Sequence, residues 1–265
     1  MVRARRVFRP TFRRTLAAAA ASAGLLGCLG CSPGPIEVAT LAPDTLANGL
    51  VAYWPLDEGS GTLANDDSGN GRNGFIAGPG WFPGQFGEAL HFSGASYMSA
   101  GGIPFAPRSY SVSAWTLIQP NELIPPIENM ISTEAQGGGW ALYAGVSQTG
   151  NSWNYVFRFA SPTGPQGYWN VVAPVMTGSW VHLAAVVDGD ASTLTLYVNG
   201  AVASRVTTSS AILPGSPTLY LARSAELSPL FSLTGALDDI AIYSRALADA
   251  EVAQLGQGPA LPPSP

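Results

Sequence analysis

"WVHLAAVVDGDASTLTLYVNGAVASRV", residues 180–206, alternates with a period of two and carries two turn signals. Val181, Leu183, Ala185 and Val187 fall on one side of its first run, with His182, Ala184 and Val186 on the other. Both sides are apolar, as expected of a strand covered on both faces. Asp188 and Asp190 flank Gly189 in the first turn. Asn199-Gly200 supplies the positive φ values of a tight type I′ hairpin. Three consecutive antiparallel strands across 181–206 are therefore predicted.

Similar runs extend the pattern in both directions. "YSVSAWTLI" (110–118) alternates Val112, Ala114 and Thr116 against Ser113, Trp115 and Leu117. Further strands are predicted at 88–92, 140–146, 153–159, 168–173, 218–222 and 236–243. Only 246–255 has helical spacing, with Leu247, Val252 and Leu255 as its apolar stripe and Asp249 and Glu251 near its positive end. In "AYWPLDEGSG" (52–61), Tyr53 to Leu56 read as a first strand with Trp54 entering the core. Pro55 donates no hydrogen bond, which argues for a sheet edge or an irregular strand there. About a dozen short strands and one terminal helical turn predict an all-β fold of two packed antiparallel sheets.

The ends read differently. Six arginines precede residue 15, and the apolar run from Leu16 to Gly27 is too short to span a membrane. Residues 1–27 have signal-peptide proportions. "LLGC" (25–28) resembles a bacterial lipobox, which makes Cys28 the candidate lipid acceptor, with Cys31 as the alternative. Either choice leaves the folded domain without a disulfide. Residues 28–46 read as this cysteine and a flexible linker, 47–256 as the domain, and 257–265 as a Pro-rich disordered tail. Without its leader the chain keeps six arginines against 17 acidic residues, a balance of −11. A nucleic-acid partner is excluded by that charge. The expected location is the bacterial envelope, anchored by lipid, or secretion.

Five motifs occur in one order: "GLVAYWPLDEGSGTLANDDSGNGRNG" (49–74), "FGEALHFSG" (86–94), "YSVSAWTLIQP" (110–120), "WVHLAAVVDGDASTLTLYVNGAVAS" (180–204) and "LTGALDDIAIYSRALADAEVAQL" (233–255). Together they resemble the laminin-G-like, concanavalin A-like lectin/glucanase family of jelly-roll sandwiches. The resemblance covers nearly all of 47–256. It implies that the first and last motifs lie on neighbouring strands, and that calcium and glycans are ligands to test. Two positions depart from the family pattern. Ala248 stands where Ser is usual and deprives the last helix of its cap, and Asp239 stands where Glu is common.

No catalytic pattern emerges. Glucanases of this fold class carry alternating carboxylates on one strand, which places a retaining pair about 5–5.5 Å apart. Asp57-Glu58, Asp66-Asp67 and Asp238-Asp239 are adjacent pairs instead, and adjacent strand side chains point to opposite faces. His91 and His182 both sit inside apolar strand runs, where a satisfied hydrogen bond explains them. There is no Gly-x-Ser-x-Gly elbow. "GGG" (137–139) lacks the Lys-Ser/Thr of a phosphate-cradling loop.

Calcium takes six to eight oxygen ligands from carboxylates and turn carbonyls. "DEGSG" and "NDDSGNG" are acidic turns of that kind, and the family pattern adds Asp238. Glu58, Asp67 and Asp238 are thus the candidate Ca2+ ligands. The plainer reading has Asp67, Ser68 and Asn70 closing side-chain-to-backbone turns without an ion. For a glycan, the aromatic-rich middle of the chain offers Trp153, Tyr155 and Trp169 as surface candidates, with Phe157 and Phe159 as core. The expected function is non-catalytic recognition of carbohydrate, calcium-assisted, on the bacterial envelope. Adhesion to a cell-surface protein is the alternative, and glycoside hydrolysis a third reading.

Overall fold

The computed structural model describes residues 45–103, 108–123, 127–147, 152–208, 213–225 and 232–260. The leader, Cys28, Cys31, the linker to residue 44 and the last five residues of the tail lie outside them. In chain order the strands begin β1 (Leu50–Trp54), β2 (Leu63–Ala64), β3 (Gly74–Ala77), β4 (Gly80–Pro83), β5 (Glu88–Phe92) and β6 (Tyr97–Ala100). They continue as β7 (Tyr110–Leu117), β8 (Ile127–Ser132), β9 (Trp140–Val146), β10 (Trp153–Ala160) and β11 (Tyr168–Pro174). The last are β12 (Val181–Asp188), β13 (Thr193–Val198), β14 (Ala201–Thr207), β15 (Leu219–Leu221) and β16 (Gly235–Tyr243), followed by helix α1 (Asp249–Leu255).

The strands form two antiparallel sheets of eight. The first runs β14-β13-β12-β7-β16-β5-β4, with β1 added on β16; the second runs β11-β10-β9-β8-β15-β6-β3-β2. The predicted hairpins are present. β12, β13 and β14 are consecutive neighbours, and Asn199 and Gly200 take φ of 50° and 76° at the two-residue turn. Trp54, Leu90, Val112, Leu142, Phe157, Leu183 and Leu237 are among the inward side chains that fill the space between the sheets. A second apolar layer lies outside the first sheet, where Leu247, Val252 and Leu255 pack with Tyr53, Tyr197 and Tyr243.

Several boundaries differ from expectation for local reasons. β1 ends at Trp54, and Leu56 follows it at φ 62°, buried but out of the sheet. β1 pairs with β16 alone, as Pro55 implied. Residues 246–248 precede the helix, because Ala248 is extended at φ −71°, ψ 155°. β2, β3, β4, β6 and β8 were not legible as strands. The first four are two to four residues long, and β8 interrupts its apolar run with buried Glu128 and Asn129.

β16 contains the irregularity that matters most. Asp238 pairs with Trp115 and Ala241 with Ser113, so β16 holds one more residue than β7 across this stretch. Asp239 sits in that bulge at φ 48°. β5 pairs with β16 at 235–237 and β1 pairs with it at 240–243, so the bulge falls between them.

Candidate functional site

The predicted ligand residues do not form a surface. Tyr155 is fully buried in the core, and its hydroxyl donates to the Met176 carbonyl at 2.8 Å. Trp153 and Trp169 are half-buried and pack against the same core. The correction follows from the strand period. Residues 153, 155, 157 and 159 share one face of β10, so the side that buries Phe157 and Phe159 also takes Trp153 and Tyr155. The outward side of β10 carries Asn154, Val156 and Arg158.

Arg158 organises that outward side. Its guanidinium donates twice to Glu134, at 2.6 and 2.8 Å, and lies 5.2 Å from the Tyr143 ring centre and 4.7 Å from that of Tyr168. Burial alone would lower the guanidinium, but the Glu134 carboxylate more than offsets it and holds Arg158 above its ordinary value. Burial also raises the Tyr143 hydroxyl. Both tyrosines stay half-exposed beside exposed Asn170 and Val172.

A second group of the same design lies further along the sheet. The Arg223 guanidinium stands 4.2 Å from the Tyr97 ring centre and 5.0 Å from that of Tyr220. Cross-strand pairing puts one member of each group, Tyr220 and Arg158, in the same row, with buried Ser132 and Ala141 between them. Leu63 faces Phe75, Phe75 faces Ser99, Ser99 faces Tyr220, and the row continues through Ser132 and Ala141 to Arg158 and Asn170. At about 4.8 Å per strand this row is roughly 34 Å long. Phe75 and Leu63 at its far end are 54% and 50% exposed. On the outer face of the first sheet Ser111, Ser113, Trp115 and Leu117 are all buried.

The acidic residues are organised as latches. Asp238 is fully buried, and one carboxyl oxygen accepts from the amides of Gln85 at 2.8 Å and Phe86 at 3.1 Å. Burial and the neighbouring Asp239 charge push its carboxyl up to about 8. Burial likewise pushes Asp239 up to about 6, against the hydrogen bond it receives from the Tyr53 hydroxyl. The bulge removes the expected opposition of adjacent side chains, so the two carboxyls influence each other. Asp57 accepts from the Glu88 amide at 2.8 Å, which holds the other end of the 84–88 loop. A Cβ at Gly84 would meet Asp238 at 2.6 Å, so the loop lies directly on the carboxyl. This arrangement closes the pair off from a substrate.

Among the described residues no three His, Cys, Asp or Glu side chains gather closely enough to hold a metal ion. Glu58, Asp67 and Asp238 are therefore not brought together, and they do not fit a shared calcium site. Glu58 accepts from the Asn65 amide and side chain, at 2.6 and 3.0 Å. Asp67 is exposed, and partial burial together with the Asp66 and Asp57 charges raises its carboxyl. Asp66 does the structural work instead. It accepts from the amides of Tyr53, Ser68 and Arg72, at 3.0, 3.0 and 2.8 Å, which outweigh its burial and hold it below the usual range. The turn expected around Ser68 and Asn70 is made, with Asp66 in place of Asp67.

Neither histidine belongs to a nucleophilic site. His182 shares a 2.8 Å hydrogen bond with Ser113, has no exposed surface, and is pushed down to about 4 by burial. His91 pairs with Glu122 at 2.9 Å on a half-buried surface.

Comparison with known proteins addresses this architecture. The family model for the concanavalin A-like lectin/glucanases superfamily matches residues 92–253. No curated protein matches. Among solved structures, the binding domain of Paraclostridial Mosquitocidal Protein 1 superposes with a TM-score of 0.63 at 18% identity, covering 80% of this chain and 52% of its own. Domain 4 of AbnA, a GH43 extracellular arabinanase from Geobacillus stearothermophilus solved with arabinotriose, gives 0.61 at 22%, covering 78% and 98%. The botulinum neurotoxin serotype D binding domain gives 0.61 at 13%, covering 80% and 52%. The chain thus spans about half the length of the two toxin binding domains.

Proposed function

The chain belongs to the concanavalin A-like lectin/glucanase superfamily, and from that premise we propose that it is a non-catalytic carbohydrate-recognition module of the bacterial envelope. The observation that carries the reading is a pair of arginine–tyrosine stacks on the outer face of the second sheet. There Arg158 is stacked on Tyr143 and Tyr168, and Arg223 on Tyr97 and Tyr220. Half-exposed tyrosines offer flat apolar faces to sugar rings, and their hydroxyls offer polar handles at the edge. Asn170 adds an exposed amide to the row. The arabinotriose in domain 4 of AbnA supports a sugar as ligand, and the toxin binding domains support recognition over catalysis. Cys28 supplies the lipid anchor in this proposal. Calcium has no part in its binding step, since the platform is built of rings and guanidinium groups.

A glycan array probed with the full chain, with and without EDTA, tests the proposal. Binding that survives EDTA and falls in Tyr168→Ala supports it. A silent array alongside a captured cell-surface protein would point to adhesion, and release of reducing sugar would revive hydrolysis.

A further inference from the structure

The described residues contain six arginines, and five of them are spoken for. Arg108 meets Asp190 at 3.5 Å, Arg158 meets Glu134 at 2.6 Å, Arg205 meets Asp249 at 3.1 Å, and Arg245 meets Glu251 at 2.6 Å. Arg72 donates to the carbonyls of Gly102 and Val51, at 2.9 and 2.8 Å. Arg223 is the exception. Like Arg72 it has no carboxylate partner among the described residues, and unlike the other five its Nε is closed off from solvent without an acceptor.

Arg223 is nonetheless held in place. Tyr97 and Tyr220, with ring centres 6.4 Å apart, both lie against its guanidinium. Stacking of this kind fixes the plane of the group without itself supplying a counter-charge. Phe75 and Leu63 lie along the same row on β3 and β2, half-exposed. Exposed apolar side chains on the same sheet face as an oriented cation with no carboxylate partner among the described residues match a ligand that is apolar on one side and anionic on its rim.

We propose that Arg223, Tyr97, Tyr220 and Phe75 form a subsite for the carboxylate-bearing ring of a uronic-acid oligosaccharide. This rests on the carbohydrate reading above and names the class of sugar. The planar guanidinium fork takes the carboxylate, and Phe75 with Tyr220 takes the apolar face of the ring. The chain carries a formal net charge of −5, which gives a polyanion no long-range attraction. Preference for the acid is therefore local and depends on one guanidinium.

Calorimetric titration of the full chain with trigalacturonate and with its methyl ester tests this. The acid is expected to bind about tenfold tighter than the ester. Arg223→Gln is expected to remove the difference between acid and ester. Arg223→Lys, which keeps the charge without the fork, recovers only part of the preference. Phe75→Ser sits at an exposed position and weakens both ligands without lowering the melting temperature. Equal affinity for acid and ester overturns the proposal while leaving carbohydrate recognition standing. So does an acid preference that survives Arg223→Gln, or Arg223-dependent binding of an oligoglutamate peptide in place of the uronate. Failure of both sugars to bind overturns the carbohydrate reading as well.

Discussion

The Tyr53 hydroxyl donates to the Asp239 carboxylate across 186 positions of sequence, and so ties β1 to the bulge in β16. The other Asp239 oxygen is buried without a partner. Tyr53→Phe would leave both oxygens unpaired in a buried site, at a cost of about 1–3 kcal/mol. Denaturant unfolding is expected to show the larger loss above pH 6, where the carboxyl is ionised.

The same cluster sets the response to pH. Asp238 and Asp239 are pushed up to about 8 and about 6 from an ordinary value near 3.8, so the folded chain keeps protons that the unfolded chain releases. Stability is greatest while both are protonated and declines as pH rises through about 6 and then about 8. Asp66 and Glu251 are held low, and their contribution is lost as pH falls toward and below their ordinary range. Thermal melts are expected to be higher at pH 5 than at pH 8.5, with a shift of roughly 2–4 °C per kcal/mol. Asp238→Asn should flatten the alkaline decline. A melting temperature that climbs between those two pH values would contradict the assignment.

Gly84 is irreplaceable for a steric reason. An added Cβ would lie 2.5 Å from the Glu88 carbonyl oxygen and 2.6 Å from the Asp238 carboxyl. Gly84→Ala should displace the 84–88 loop and cost about 1–3 kcal/mol. Trp115 fluorescence is the readout, because Phe86 packs edge-on against that ring at 5.7 Å. An unchanged emission spectrum would show that the loop had not moved.

The start of α1 is open to improvement. Ala248 has the extended geometry of a cap but no side-chain acceptor, and only the Glu251 half of the box is made, at 2.9 Å to the Ala248 amide. Ala248→Ser should add about 0.5–2 kcal/mol, measured as a higher denaturant midpoint with an unchanged slope.

Binding variants separate the two faces of the second sheet. Tyr168→Ala and Tyr143→Ala remove half-buried rings on the outer side and are expected to weaken sugar binding about three- to tenfold, from the loss of roughly 0.5–1.5 kcal/mol per ring. Tyr155→Phe removes only the hydrogen bond to Met176 inside the core. It should lower stability slightly and leave affinity where it was.

Much of the framework was legible because a period of two is hard to mistake where β-branched and aromatic residues fill it. β9 and β11 start where the pattern starts, and 181–206 folds into the expected hairpins. The candidate site was less legible. Tyr143 and Tyr168 stood in the aromatic-rich segment, but their exposure depends on which side of each strand faces the other sheet. Arg158 within "YVFRFA" carries that information, since a guanidinium marks the outward positions, and parity with Phe157 would have turned Trp153 and Tyr155 inward. The Asp238–Asp239 pair was misjudged because one extra residue in β16 cancels the alternation. Nothing local announces a bulge whose partner strand lies more than a hundred residues earlier. Tyr97, Tyr220 and Arg223 meet only through β6–β15 pairing, which no spacing in the chain reports.

β1 rests on a single neighbouring strand, and the chain just before it is gripped by Arg245, which donates to the carbonyls of Thr45 and Asn48 while also pairing with Glu251. Tension applied at residue 45 would therefore meet the Arg245 clamp first. It would reach the β1–β16 ladder next, and the inter-sheet core only after both had yielded. That order makes the entry to the domain a mechanical fuse, set by one side chain and one strand pair, which spares the opposite sheet until both have yielded.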